Sequence, residues 1–199
     1  MLIAARNGML VGGGGGILPP GARWVEYLES TGTQYIDIGM IPSATCKFID
    51  DSWHAVATQF GSLNGGGARF HAYLPFCVRS DYLGTSENYP SAKRTTVTLN
   101  VKSGTFDYDD THITFTAGLT PGAPSFCLFA RNFAGSIDRY ENGGKLYGFD
   151  WWDDADSDIS LKLRPIAIGT TGYMLDLVSG EYLPYGNKGT GDFVIGPDK

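Results

Sequence analysis

The densest group of chemistry-bearing side chains in this 199-residue chain is Asp150-Trp-Trp-Asp-Asp-Ala-Asp-Ser-Asp158. Asp154, Asp156 and Asp158 have the alternate spacing with which a loop wraps a calcium ion. The rest of such a loop is missing. Ile159 stands at the sixth position, where the sharp turn needs glycine, and Pro165 at the twelfth, where a bidentate glutamate closes the shell. An EF-hand is excluded, and a solvated acidic turn is favoured over a looser calcium site, because carboxylates are mostly exposed and unliganded. No metal and no cofactor is expected. Trp151 and Trp152 are adjacent, and neighbours in a strand point to opposite faces. One ring is expected in the core and the other at the surface or an interface. An exposed Trp152 beside Asp153 and Asp154 has the chemistry of a sugar site, with the indole stacked on a pyranose and the acids on hydroxyls. The competing reading packs both rings, one inside and one beneath a loop.

A second candidate is the turn-rich segment Arg79-Ser-Asp-Tyr-Leu-Gly-Thr-Ser-Glu-Asn-Tyr-Pro90. Loops at the rim of a sheet often carry recognition, which makes Tyr82 and Tyr89 candidate glycan contacts. The plainer reading is a surface loop pinned by its two tyrosines. Catalytic signatures are missing: there is no Gly-x-Ser-x-Gly, no phosphate loop and no His-Glu-x-x-His, and His54 and His71 have no nucleophile motif near them. The chain is therefore expected not to be an enzyme. Cys46, Cys77 and Cys127 each sit in an apolar run and match no zinc spacing. They read as small buried thiols in strands, in keeping with folding in a reducing cytoplasm.

The elements that must position these residues are strands. Thr95-Thr-Val-Thr-Leu-Asn-Val101 alternates, with Val97, Leu99 and Val101 on one side and Thr96, Thr98 and Asn100 on the other. Ile113–Phe115, Phe126–Phe129, Leu146–Phe149 and Leu161–Ile166 behave similarly. Further strands are expected at Gln34–Ile38, Thr45–Ile49, Ala55–Phe60, Ala68–Leu74 and Phe76–Arg79. Turns are expected at Asn64–Gly67, Ser103-Gly104, Pro121-Gly122 and Asn142–Gly144. Near the end, Gly172–Tyr185 reads as two strands folded back through Ser179-Gly180, and a turn at Gly189–Gly191 leads into Asp192–Ile195. No window carries a helical apolar stripe. The 28 glycines suit strands joined by tight turns. The expected fold is all-β, two antiparallel sheets packed as a sandwich.

Three parts are expected along the chain: an apolar segment, residues 1–11, a Gly/Pro linker, 12–23, and one folded domain, 24–199. Residues 1–11 are too short in their apolar runs for a signal-peptide core or a membrane span, so neither standard export nor membrane insertion is expected. Leu2, Ile3, Met9, Leu10 and Val11 on a flexible leash look like an attachment device. A disordered tail is the alternative. The net charge of −6 argues against nucleic acid, since phosphate binding needs clustered Lys and Arg.

Several segments together resemble one family. Tyr27-Leu-Glu-Ser-Thr-Gly-Thr-Gln-Tyr-Ile-Asp37 looks like the opening strand of concanavalin A-like (laminin G-like) jelly-roll domains of gut bacteria and their phages. Phe126–Arg131, Lys145–Gly148, Leu163–Ile166, Tyr173–Gly180 and Gly189-Thr-Gly-Asp-Phe193 resemble its later strands. The resemblance spans residues 24–199 and implies a concanavalin A-like jelly roll. It is uninformative about activity, because such folds host lectins, glycosidases, adhesins and virion proteins. The family's glycosidases carry Glu-x-Asp-x-x-Glu, and none of Glu26, Glu29, Glu87, Glu141 and Glu181 lies in that pattern. No calcium-binding set of laminin G-like type is identifiable. The expectation is a phage virion decoration or fibre subunit, assembled in the host cytoplasm, docked to a particle by residues 1–11 and attaching to host-surface glycans. It would be a homo-oligomer by analogy with fibre proteins. A bacterial carbohydrate-binding module or adhesin, extracellular or at the cell surface, is the alternative, and a glycoside hydrolase the least favoured.

Overall fold

The computed structural model describes residues 18–53, 59–63, 69–73, 77–79, 86–87, 93–114, 124–138, 140 and 142–199, with the backbone alone between 59 and 87. The strands are β1 Ala22–Trp24, β2 Leu28–Thr31, β3 Ile36–Asp37, β4 Lys47–Trp53, β5 Gln59–Leu63, β6 Arg69–Tyr73, β7 Cys77–Arg79, β8 Ser86–Glu87 and β9 Arg94–Asn100. They continue with β10 Thr105–Tyr108, β11 Thr111–Thr114, β12 Cys127–Leu128, β13 Arg131–Phe133, β14 Ser136–Asp138, β15 Asn142–Trp152, β16 Leu161–Ile168, β17 Thr171–Asp176 and β18 Val194–Ile195. Among the described residues there is no α-helix, only a 3-10 turn at Leu183–Tyr185.

Ten strands form a large antiparallel sheet ordered β1-β16-β15-β4-β9-β10-β11, with β17 on the free edge of β16 and β2 between β15 and β18. The other eight form a second sheet, β14-β13-β5-β6-β7-β8, with β12 joining β5 to β3. In the large sheet, β4 and β9 alternate cleanly. Along β4, Phe48, Asp50 and Ser52 are buried and Lys47, Ile49, Asp51 and Trp53 are half-buried. The inner face packs on the second sheet through an aromatic box. Phe48, Phe149 and Trp151 from the large sheet meet Phe126, which leads into β12, at ring separations of 5.4, 5.7 and 5.5 Å. All four rings are at most 2% exposed, and burying one Phe in this way contributes about 1.5–3 kcal/mol. The protein is an all-β sandwich.

Several local expectations need correction. The sheet begins at Ala22, paired with Ile168, two residues inside the segment read as linker. Asn142–Gly144 is the start of β15 and not a turn. Gly143 at φ +83° absorbs an irregularity in the pairing with β2, a conformation open to glycine at little cost. Glu181–Tyr185 is not a strand. Pro184 lacks an N–H for a ladder, and the segment turns at Leu183–Tyr185 after one bond from Asp176 N–H to Glu181 O. Phe126–Phe129 does not alternate, for every residue from Phe126 to Ala130 is buried. Phe129 sits at φ +64° and turns the chain, so that β12 runs antiparallel to β5 and β13 runs parallel to it. Among the described strands, that parallel pair is the exception to an otherwise antiparallel pairing.

Candidate functional site

The family-like segments at the two ends of the domain turn out to be one seam. The Gln34 side chain is 1% exposed. Its Oε1 accepts from the Thr31 N–H at 2.7 Å, and its Nε2 donates to the Thr190 carbonyl at 3.1 Å. Asn187 Oδ1 accepts from the N–H groups of Tyr35 and Gly189 at 3.2 and 2.7 Å. Backbone N–H groups of Lys188 and Thr190 donate to Tyr35 O and Thr33 O. The two segments are so close that a Cβ on Gly189 would lie 1.9 Å from Thr33 O. Asp176, 2% exposed, plays the same part in the Leu177–Gly180 turn, where its oxygens accept from the N–H groups of Lys162, Val178 and Ser179. These motif residues spend their polar groups on the fold.

The acidic segment does so too. Trp151 is fully buried, and Asp153 Oδ1 takes its indole N–H at 3.0 Å, giving that buried donor the acceptor it needs. Thr45 Oγ1 donates to Asp153 O, and the Ala155 N–H donates to Thr45 O, so the turn is docked on the start of β4. Asp154 and Asp156 share the ammonium of Lys102 at 2.6 and 2.8 Å. The Lys102 hydrogen bond, with the Asp156 N–H, holds the Asp154 carboxyl below its ordinary value. A cation already stands between Asp154 and Asp156, two of the three acids that were the calcium candidates. Among the described residues no cluster of three His, Cys, Asp or Glu side chains is placed to hold a metal.

Trp152 has the opposite fate and lies half-buried on the outer face of the large sheet. Strand register sets its neighbours. Trp152, Lys47, Asn100 and Thr105 stand side by side across β15, β4, β9 and β10, and Thr105 is opposite Thr114 on β11. The next row reads Lys162, Asp150, Ile49, Thr98, Asp107 and His112. At about 4.8 Å per strand, the first row spans roughly 20 Å. It is a threonine- and amide-rich face with an indole at one end, able to stack on an apolar ring face and to hydrogen-bond hydroxyls. The other end of the same face carries Tyr27, Trp53 and Tyr147. Its cations are taken: Arg94 lies over the Tyr147 ring at 4.0 Å and grips Asp51 at 2.8 and 2.6 Å, while Lys145 lies over Tyr27 at 4.6 Å and faces Glu29 at 3.7 Å.

Of the candidate glycan contacts, Trp152, Asp153 and Asp154 are thus brought together in sequence but split in function. Tyr82 and Tyr89 lie outside the described residues, as do the anchor residues Leu2, Ile3, Met9, Leu10 and Val11 and the histidine His54. Lys47, Asn100 and Thr105 were missed as site residues. Their outward direction is readable from period two, but their adjacency to Trp152 needs the register. Burial pushes the Cys46 thiol up to about 11 and raises that of Cys127 further, so both are inert at neutral pH. Among the described residues no helix is long and apolar enough to cross a membrane. Compared with known protein families, with curated proteins and with solved structures, the chain matches none.

Proposed function

We propose that this chain is a non-enzymatic attachment protein: a lectin-like, concanavalin A-like jelly-roll domain that presents a glycan-binding face, carried on a phage virion as a decoration or fibre subunit. The observation that carries the binding half is the outer row from Trp152 through Lys47, Asn100 and Thr105, an indole platform continuous with a strip of hydroxyl, amide and ammonium groups. Exposed aromatics beside hydrogen-bonding side chains suit pyranose rings, which are apolar on their faces and polar at their rims. The virion half is supported by the family resemblance of residues 24–199 and by the apolar segment 1–11 ahead of Gly12–Gly16. In this reading the leading segment docks to a particle and the sandwich faces outward.

Two measurements test it. The full chain is expected to bind on a glycan array, with Trp152→Ala weakening that binding while the melting transition is kept. Binding unaffected by Trp152→Ala would remove the outer row from consideration. Deleting residues 1–16 is expected to abolish incorporation into particles and leave the domain folded. Incorporation of the truncated protein would end the anchor idea, and recovery of the chain from bacterial surfaces in place of particles would favour the adhesin. Turnover of a bound polysaccharide, lost on mutating an Asp or Glu pair, would overturn the non-enzymatic reading.

A further inference from the structure

The cations on the outer face of the large sheet are not equivalent. Arg94 is held by Asp51, Lys145 by Glu29, and Arg164 by Asp150 through contacts of 2.5 and 3.0 Å. Each pairs with a carboxylate on a neighbouring strand, as expected where opposite charges face each other across a sheet. Lys47 has no such partner. Its Nζ lies 4.5 Å from the centroid of the Trp152 ring, and among the described residues no carboxylate is within ion-pair distance of it. Lys162 on β16 is in the same condition. It stands opposite Asp150, whose two oxygens are already taken by Arg164. Trp152 is therefore flanked by two ammonium groups, Lys47 directly across on β4 and Lys162 diagonally on β16, both without a carboxylate partner among the described residues.

Three of the four acids in the turn at this end of the sheet are already committed. Asp153 serves the Trp151 indole, and Asp154 and Asp156 share Lys102. Asp158 is exposed at the strand end, in the turn that follows Asp156. On the outer face around the indole the count is Lys47, Lys162 and Arg164 against Asp150 alone. Arg164 is matched by Asp150, which leaves the ammonium groups of Lys47 and Lys162 as the unmatched charges on that face, while the acids of the following turn lie beyond the strand end. An ammonium resting on an indole face is a weak arrangement at an exposed site, worth about 0.5–1 kcal/mol. A charge-assisted hydrogen bond to a carboxylate is stronger, so Lys47 exchanges the ring for such a partner at a net gain.

Building on the reading that this face binds glycans, we propose that its ligand is an acidic saccharide. The carboxylate of a uronic or sialic acid residue is taken by Lys47, with Lys162 adding to the attraction. The same sugar residue or its neighbour stacks on the Trp152 ring that Lys47 vacates. Lys47 thus does two things: it covers the indole in the free protein, and it selects for negative charge on binding. A neutral sugar takes only a hydrogen bond from the ammonium, without the opposite charge, and must still displace it from the ring.

The sign of one substitution separates these cases. The full chain is titrated by calorimetry with two matched pairs, trigalacturonate against its methyl ester and sialyllactose against lactose. The expected result is preference for the acidic member of one pair, and which pair responds identifies the source of the carboxylate. In Lys47→Gln the affinity for that acidic sugar falls roughly tenfold, the loss of one charge-assisted hydrogen bond. Lys162→Gln lowers it less. Raising the salt concentration weakens wild-type binding far more than that of Lys47→Gln, because exposed charge pairs are screened. Unchanged melting in both variants shows that the fold is kept. Equal or tighter binding of the neutral members, or tighter binding by Lys47→Gln because the ring is uncovered, overturns the acidic-ligand inference and leaves glycan binding standing. Binding of only neutral glycans on an array does the same. An array with no bound glycan at all brings down the underlying reading as well.

Discussion

Trp151 and Trp152 are neighbours in sequence and opposites in the fold. The first is fully buried in the aromatic box with its N–H on Asp153, and the second lies on the outer face beneath a lysine. The same contrast holds for the whole large sheet. On the inner face, the rings of Phe48, Phe149 and Trp151 are packed against Phe126. On the outer face beside Trp152, Asn100 and Thr105 hold Ser103 of the β9–β10 turn, while Lys47 and Lys162 have no carboxylate partner among the described residues. A cluster of functional residue types is thus a poor guide to a site unless one knows which groups the fold has already used. The acidic turn, the densest such cluster in the sequence, is mostly structural, while the row beside it draws on strands far apart in the chain.

The contrast can be broken most directly at the tryptophans themselves. Trp151→Ala is expected to cost about 3–5 kcal/mol, as large-to-small changes in a packed core do, and to leave Asp153 without its indole donor. A loss below about 1 kcal/mol by chemical denaturation would mean that the aromatic box is not the joint between the sheets. Next in size is Gly189→Ala. Its Cβ meets backbone and not a flexible side chain, so the seam between the first and last segments must open. Destabilisation of roughly 1–3 kcal/mol is expected from such overpacking, read as a fall in melting temperature. A neutral outcome would show that the termini do not close on each other as described.

A smaller effect concerns the acidic turn. Lys102 lowers the pKa of Asp154 from its ordinary 3.8, and Asp154 and Asp156 together raise that of Lys102 from 10.5. The depressed acid contributes stability above 3.8 that is lost as pH falls through its folded value, and the raised base contributes below 10.5 and loses its share as pH rises through its own folded value. Lys102→Gln should therefore lower the melting temperature slightly and by a constant amount through the middle of the pH range. The difference from wild type should shrink at both extremes. A difference that peaks outside this window would mean that the clasp is not what holds the turn. The smallest effect on stability is expected for Trp152→Ala, within about 1 kcal/mol, the scale of an exposed cation–π contact. A core-sized loss there would place Trp152 with its neighbour and remove the distinction between the faces.

Much of the architecture was legible because a sheet with one buried face imposes period two on its sequence. Val97, Leu99 and Val101 are buried as their alternation requires, and Thr96 is exposed. β4 reached further than expected, through Asp50 and Asp51, because each acid found a partner that local sequence does not show: Ser52 for the buried Asp50 and Arg94 for Asp51. Pro165 survives inside β16 for a similar reason. Its carbonyl accepts from the Val25 N–H, at the fork where β16 leaves β15 for β1, so the missing N–H falls where neither ladder needs one. Glu181–Tyr185 was misread because its aromatic residues satisfy the strand pattern, while Pro184 and the bond closing the turn decide the backbone.

By itself the sequence determined the fold class, the alternation of the strands, the separation of Trp151 from Trp152 onto opposite faces and the failure of the calcium-loop pattern. All of these follow from local stereochemistry and from residue types at fixed spacing. Only the tertiary structure decided that Gly189 closes against Thr33, that Lys102 occupies the acidic turn and that Lys47 covers Trp152. Those are outcomes of strand register and of competition among polar groups for partners, and such partners are chosen across the sheet, where distance along the chain carries no information.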